Sequence, residues 1–186
     1  MNLKHQKKNN PIFKRVKNTL IGSNYQCIQN IKNLKKNIDS KIFFKDVDED
    51  VEIFSRKFVK KLQKFNYDKP ILLISGGETT VKIKGNGKGG RNQEFALHFL
   101  LEMNRKLPNK KFFLLSAGTD GRDGPTNAAG AIVNNSSLEL IKKKKIKIIE
   151  ELNNNNSYKV LKKINSLIII KGTNTNVADI QLLLLF

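Results

Sequence analysis

SGGETTVKIKGNGKGGRNQEF, residues 75–95, is the stretch from which the rest of this chain can be read. It opens on Gly76 and Gly77, carries an acid at Glu78 and a hydroxyl at Thr79, and alternates through residues 79–84 like a half-exposed strand. Gly85, Gly87, Gly89 and Gly90 follow, and then Arg91, Asn92 and Glu94, which open a helix. Bare backbone N–H groups ahead of a helix N-terminus form an anion site. Lys88 and Arg91 sharpen that reading, because a cation in a first helical turn opposes the macrodipole unless an anion lies against it. The plainer alternative is two solvated charges in a lysine-rich chain.

Upstream, residues 71–75 form a continuous apolar run, the pattern of a strand covered on both faces. Before it, Asp48 is placed to cap a helix. Glu49, Asp50 and Glu52 fill its first turn and Lys60, Lys61 and Lys64 its last, each sign complementing the dipole. Val51, Phe54, Phe58, Leu62 and Phe65 form its inner stripe. Residues 41–44 read as a strand. A helix starts from Ser23 or Asn24 and runs to about residue 36, with Cys27 or Ile28, Ile31 and Leu34 inward. Residues 14–21 read as a short strand and residues 1–10 as a disordered tail.

Downstream, a helix over residues 91–104 turns Phe95, Phe99 and Met103 to the sheet and leaves His98 at its rim. Strands follow at 112–117 and 128–133. A helix capped by Ser136 or Ser137 runs through the lysines, and residues 153–156 make a polar turn before a short helix over Val160 and Leu161. Residues 167–170 and 180–186 are the last strands. Strands alternating with helices make the chain α/β, and in such sheets ligands bind beyond the C-terminal ends of strands.

Two more loops follow strands. GTDGRDGPT, residues 118–126, sets Thr119, Asp120 and Asp123 among Gly118, Gly121 and Gly124. Its two carboxylates are placed to hold Mg²⁺ through one or two oxygens, or to form Asx turns. GTNTN, residues 172–176, is rich in hydroxyls and amides and ends on Asn176. Gly85, Gly87 and Gly90 match the dinucleotide pattern GxGxxG. However, the strand ahead of them alternates, and no acid follows at a strand end ~20 residues on. The P-loop pattern fails as well, with Arg91-Asn92 where Lys-Ser/Thr belongs. What both patterns share, a backbone cradle for phosphate, is retained.

Composition narrows the alternatives. The 186 residues carry 35 Lys and Arg against 16 Asp and Glu, a net charge of +19. The basic residues are spread along the chain, and the dense run at 142–147 lacks interleaved aromatics to stack on bases, which argues against nucleic acid. The N-terminus has no apolar signal-peptide core, and no apolar run reaches the ~20 residues of a membrane span, so a cytoplasmic protein is expected. A single cysteine, Cys27, gives no disulfide framework and reads as a small core residue. Two histidines and one cysteine leave almost nothing from which to build a hydrolytic triad.

Taken together, SGGETTV, GKGGRNQEFAL, SAGTDGRDGPTNAAGAIV and TNVADIQ resemble the C-terminal domain, called MOFRL, of the glycerate 2-kinases that also go by the name hydroxypyruvate reductase. Residues 68–186 look like a complete MOFRL domain, and residues 11–67 look like the last part of the family's Rossmann-like N-terminal domain. The resemblance implies a mixed sheet with flanking helices and an active site in the interdomain cleft. It implies ATP-dependent, Mg²⁺-dependent phosphorylation of D-glycerate to 2-phosphoglycerate.

In that picture Arg91 is catalytic, holding the glycerate carboxylate or the phosphoryl group in flight. Gly76, Gly77, Glu78, Thr79, Lys88, Gly89, Gly90, Asn92, Glu94, Thr119, Gly121 and Asn176 bind substrate or phosphate, and Asp120 and Asp123 bind the metal. The chain departs from the family in two ways. Most of the N-terminal domain, including a lysine that looks catalytic in relatives, is absent from it, which reads as a fragment, a truncated reading frame, or one half of a split enzyme whose partner chain carries that domain. Residues 171–176 read KGTNTN where the family reads closer to TGPTGTN. An NAD(P)H-dependent hydroxypyruvate reductase and a non-catalytic module for nucleotide or small anions are the alternatives.

Overall fold

Three apolar runs, residues 71–74, 112–115 and 182–185, become the inner strands of one sheet. The computed structural model describes residues 11, 15–34 and 37–186. Its strands are β1 (Asp39–Val47), β2 (Ile71–Gly77), β3 (Phe112–Gly118), β4 (Gly130–Asn134), β5 (Leu167–Ile168) and β6 (Asp179–Leu185). They lie in the order β1-β2-β6-β3-β4-β5. β1 and β2 are parallel and the other pairs antiparallel, so the sheet is mixed and the fold α/β.

The helices are α1 (Asn24–Asn33), α2 (Val51–Leu62), α3 (Arg91–Lys106), α4 (Asn135–Lys143), α5 (Ile148–Asn153) and α6 (Ser157–Lys163). Ser23 caps α1 by accepting from the Gln26 N–H. α2 starts two residues later than the sequence predicts: Asp50, not Asp48, accepts from the N–H groups of Glu52 and Ile53. α4 is capped by Asn134, with Ser137 completing the reciprocal pair of a capping box.

The predicted stripe of α2 is the one buried. Phe54 stacks on Phe95 of α3 with ring centroids 5.1 Å apart, and Phe58 meets Phe99 edge-on at 5.4 Å. Phe99 in turn meets Phe112 of β3 at 5.5 Å. Each fully buried phenylalanine contributes ~2–3 kcal/mol. This aromatic block locks α3 against the sheet and so decides where its N-terminus lies.

Three expectations fail. Residues 79–84 form no strand beyond a single bridge between Thr80 and Asp50. β2 is already bonded on both sides, by β1 and β6, so the segment after it has no adjacent edge to join. Residues 15–21 form no strand either, while Lys14 and residues 1–10 lie outside the described residues. α1 ends at Asn33 with Ile28 buried and Cys27 only half-buried. β1 and α2 share one sheet and one core with the rest of the described chain.

Candidate active site

One end of the sheet gathers the functional loops. The register aligns Val47 with Gly77, Gly77 with Asp179, and Asp179 with Gly118 across four strands. The loops at 78–90, 119–129 and 172–178 leave from this edge, and α3 begins there. Three glycine- or hydroxyl-rich loops far apart in sequence are thereby neighbours in space.

α3 begins at Gly90, which has no side chain to cap with. Asp123 of the second loop caps the helix instead. Its two carboxylate oxygens accept from the N–H groups of Asn92 at 3.1 Å and Gln93 at 2.9 Å, and from the Gln93 amide at 2.9 Å. A Cβ on Gly90 would lie 2.3 Å from the Asp123 carboxyl carbon, so only glycine admits this approach. Burial pushes the Asp123 carboxyl above its usual range, and the donated N–H bonds oppose that shift.

Arg91 lies beside this cap. Its Nε and Nη2 donate to the two oxygens of Asp179 at 2.6 and 3.1 Å, a bidentate pair, and Nη1 lies 2.9 Å from Glu78. The Asp179 side chain is fully buried, whereas 62% of the Glu78 side chain is exposed. The hydrogen bonds that Arg91 donates to Asp179 hold the guanidinium charged, and burial pushes Asp179 itself upward against the pull of Arg91. Part of the anion that the sequence reading demands near Arg91 is therefore protein. Lys88 takes no part in it: its ammonium sits 5.4 Å above the Tyr158 ring.

A cavity of about 750 Å³ opens in front of Arg91. Glu78, Thr79, Gly89, Gly90, Arg91 and Glu94 line it, together with Asp48, Ile83, Pro125 and Asn155. The Thr79 hydroxyl is buried and has no hydrogen-bond partner among the described residues. Burial pushes Glu94 above its usual range. A second cavity, of about 520 Å³, lies on the far side of Glu94 around His98 and Arg56. His98 is half-buried, and burial lowers its pKa. The first cavity holds the strand ends and α3, so the site is placed there.

The glycine loop is shaped by a turn that the sequence reading treats as plain linker. The Asn155 amide oxygen accepts from the N–H groups of Lys84 at 2.6 Å and Gly85 at 3.0 Å. Its nitrogen donates to the Lys82 carbonyl at 3.2 Å and to Glu94 at 2.9 Å. Asn86, Gly87 and Lys88 donate to Asn154 Oδ1, the Asn154 carbonyl and Asn156 Oδ1. Four amides expected to cradle phosphate, those of residues 85–88, are thus already engaged, together with that of Lys84. Those of Gly89, Gly90 and Arg91 have no acceptor among the described residues.

The remaining predicted residues stand outside the cavity. Thr119 ties two loops together, accepting from the Val177 N–H at 2.9 Å and donating to the Ala178 carbonyl at 2.7 Å. Asn176 accepts from the Ala178 N–H. Gly121 turns at φ +83° against the Lys171 carbonyl. Asn92 accepts from the buried Ser116 hydroxyl. Gly76 and Gly77 form the end of β2, packed against Asn24 and Val47. Asp120 accepts from the Arg122 N–H, an Asx turn.

Among the described residues, no three His, Cys, Asp or Glu side chains converge on one point. Asp123 is engaged through both oxygens and does not fit a metal. Glu78 and Asp48 at the cavity rim and Asp120 behind it are the carboxylates left to serve a Mg²⁺ ion that keeps water and phosphate in its shell. Sequence reasoning missed Asp179 and Asn155 as site residues. The acid in TNVADIQ, at the start of a strand, was the available signal for the first; a polar turn carries none for the second.

Fold and site together define an α/β domain with a glycine-walled cleft that carries Arg91 at its strand ends. The chain belongs to the MOFRL family, which matches residues 71–179. It is 48% identical over 112 residues to a D-glycerate 2-kinase of Thermotoga maritima, a stretch that is 60% of this chain and 26% of that one. It is 42% identical over 120 residues to a glycerate kinase of Mus musculus, 62% of this chain and 23% of that one. A crystal structure of a Thermotoga maritima glycerate kinase superposes with a TM-score of 0.82 at 37% identity, covering 90% of this chain and 42% of the other. The chain therefore spans about a quarter of the length of the curated relatives it matches. No helix among the described residues is long and apolar enough to cross a membrane.

Proposed function

We propose that this chain supplies the arginine-bearing half of a glycerate 2-kinase site, which phosphorylates D-glycerate to 2-phosphoglycerate. The observation that carries the reading is the Arg91–Asp179 pair at the mouth of a glycine-walled cavity. A guanidinium has five N–H donors. Asp179 and Glu78 leave two of them for a ligand. Glu78 is exposed enough to yield its place at small cost, since an exposed ion pair is worth ~1 kcal/mol or less.

An incoming carboxylate or phosphoryl oxygen takes the place of Glu78 against Arg91. Gly89, Gly90 and Arg91 line the same cavity, and their uncommitted N–H groups at the start of α3 add their dipoles. The Thr79 hydroxyl supplies a further polar contact. Asp179 keeps the guanidinium oriented, so little reorganisation is needed as charge develops. ATP would supply the phosphoryl group, and Glu78, Asp48 or Asp120 would hold the Mg²⁺ that balances its charge. Positioning and electrostatics do the work here, as elsewhere in phosphoryl transfer. The reading places the protein in the cytoplasm, where ATP is at hand.

The test is turnover of ATP and D-glycerate by this chain, with and without a glycerate-kinase N-terminal domain supplied in trans. Activity with that domain supports the reading. Inactivity in both arms, with ATP still bound, overturns the kinase assignment in favour of a non-catalytic anion-binding module.

A further inference from the structure

The inner strands of this sheet are patterned for cover on both faces, and among the described residues one face is largely bare. Residues 71–74, 112–115 and 182–185 are unbroken apolar runs. A sheet that faces water on one side alternates apolar with polar residues instead. α2, α3, α4, α5 and α6 all deliver side chains to the core beneath the first face. The second face carries α1, which lies over β1, β2 and the near side of β6, with Ile28 buried beneath it.

Beyond α1 the register lines up two apolar rows. Leu72, Leu184 and Phe113 form one, and Leu182, Leu115 and Ile132 the other. Phe113 is 47% and Ile132 43% exposed, and the other four are half-buried. Phe186, 50% exposed, extends the first row against the Phe113 ring. Four strands at ~4.8 Å spacing and two rows ~7 Å apart give an apolar patch of a few hundred Å², near the upper end of what monomers leave open.

We propose that this face docks a layer of amphipathic helices from the polypeptide equivalent to the part of the glycerate kinases that lies outside the shared fold. The proposal rests on the glycerate-kinase reading above. More than half of the Thermotoga maritima crystal chain lies outside that fold, so an intact enzyme has ample chain to complete a second layer. A second copy of this chain is a poorer occupant, since two bodies of net charge +19 repel. The chemistry asks for helices aliphatic toward the sheet and acidic at the rim, where Lys111 flanks a small cavity between Phe113 and Phe186.

The experiment coexpresses this chain with the portion of Thermotoga maritima D-glycerate 2-kinase outside the match. Sedimentation reads association, and hydroxyl-radical footprinting reads side-chain protection. We expect an equimolar complex that protects Phe113, Ile132 and Phe186. Phe113→Glu combined with Ile132→Lys should weaken it roughly tenfold or more, because central apolar anchors dominate interfaces. Both side chains are half-exposed, so the variant should keep its fold by near-ultraviolet circular dichroism; Ile132→Lys alone serves if it does not. Arg91→Lys should associate normally. No complex, protection elsewhere, indifference to the substitutions, or self-association through this face overturns the proposal. A complex that forms here yet turns over no glycerate overturns the kinase reading and leaves the docking surface standing.

Discussion

Asp179, the first residue of β6, holds Arg91, the first residue of α3, through two hydrogen bonds of 2.6 and 3.1 Å. The carboxylate is fully buried and the guanidinium about a third exposed. Removing the arginine therefore strands a buried charge, while removing the carboxylate leaves a cation that Glu78 and water still serve. Arg91→Ala should cost about 3 kcal/mol in urea unfolding at pH 7, and Asp179→Asn about 1 kcal/mol. Equal costs would show that burial does not set the balance of this pair.

Arg91→Lys separates charge from geometry. Lysine keeps the positive charge but cannot make the two-pronged contact. In an enzyme reconstituted with its N-terminal domain, turnover should fall by roughly 100-fold or more. Activity within about tenfold of wild type would remove Arg91 from the catalytic role.

Asn155 spends all four of its amide hydrogen bonds on the glycine loop and Glu94. Asn155→Ala orphans the N–H groups of Lys84 and Gly85 and should cost about 2–4 kcal/mol. Amide exchange across residues 84–88 should speed up well before global unfolding. Unchanged exchange there would mean that the loop holds its own shape.

Gly90→Ala tests the tertiary cap. The new methyl would meet Asp123 at 2.3 to 2.5 Å, including its backbone, so the loop must shift rather than a side chain swing away. A loss of about 1–3 kcal/mol is expected, with weakened capping of α3. Retained stability, with Asp123 still bonded to Gln93 in a crystal structure, would contradict the close fit.

Glu94 carries a pH signature. Its folded pKa is raised, chiefly by burial and against the hydrogen bond from Asn155. The folded state thus binds the proton more tightly than the unfolded chain. This contribution to stability is full below the ordinary carboxylate range and is lost as pH rises through the raised value. Glu94→Gln keeps an acceptor for Asn155 and has no charge to bury. Between pH 5 and 8 the variant should lose about 1 kcal/mol less stability than wild type in thermal unfolding. A parallel decline would mean that Glu94 does not titrate differently on folding. Asp123 and Asp179, raised in the same sense by burial, should keep a residual slope in both proteins.

Periodicity carried the fold a long way. The apolar runs at 71–74, 112–115 and 182–185 are sheet strands, and the α2 stripe of Val51, Phe54, Phe58 and Leu62 is buried as its spacing predicts. Local pattern failed at residues 79–84, where alternation suggested a strand although β2, which they follow, is already bonded on both sides. The cap of α2 slipped from Asp48 to Asp50 because both acids suit the position and only packing chooses between them.

The sequence by itself determined most of the elements, the three loops and the demand for negative charge at Arg91, since these follow from residue spacing and local backbone chemistry. Which charge answers that demand was decided by tertiary structure alone. Asp123 and Asp179 lie 32 and 88 positions beyond Arg91; the first reaches Asn92 and Gln93 beside it and the second Arg91 itself, because β3 and β6 pair side by side. Tertiary packing likewise brings the turn at Asn155, between α5 and α6, onto the glycine loop, and among the described residues it leaves one apolar sheet face open. Contacts of that range depend on the three-dimensional closing of the sheet, which no local window of residues encodes.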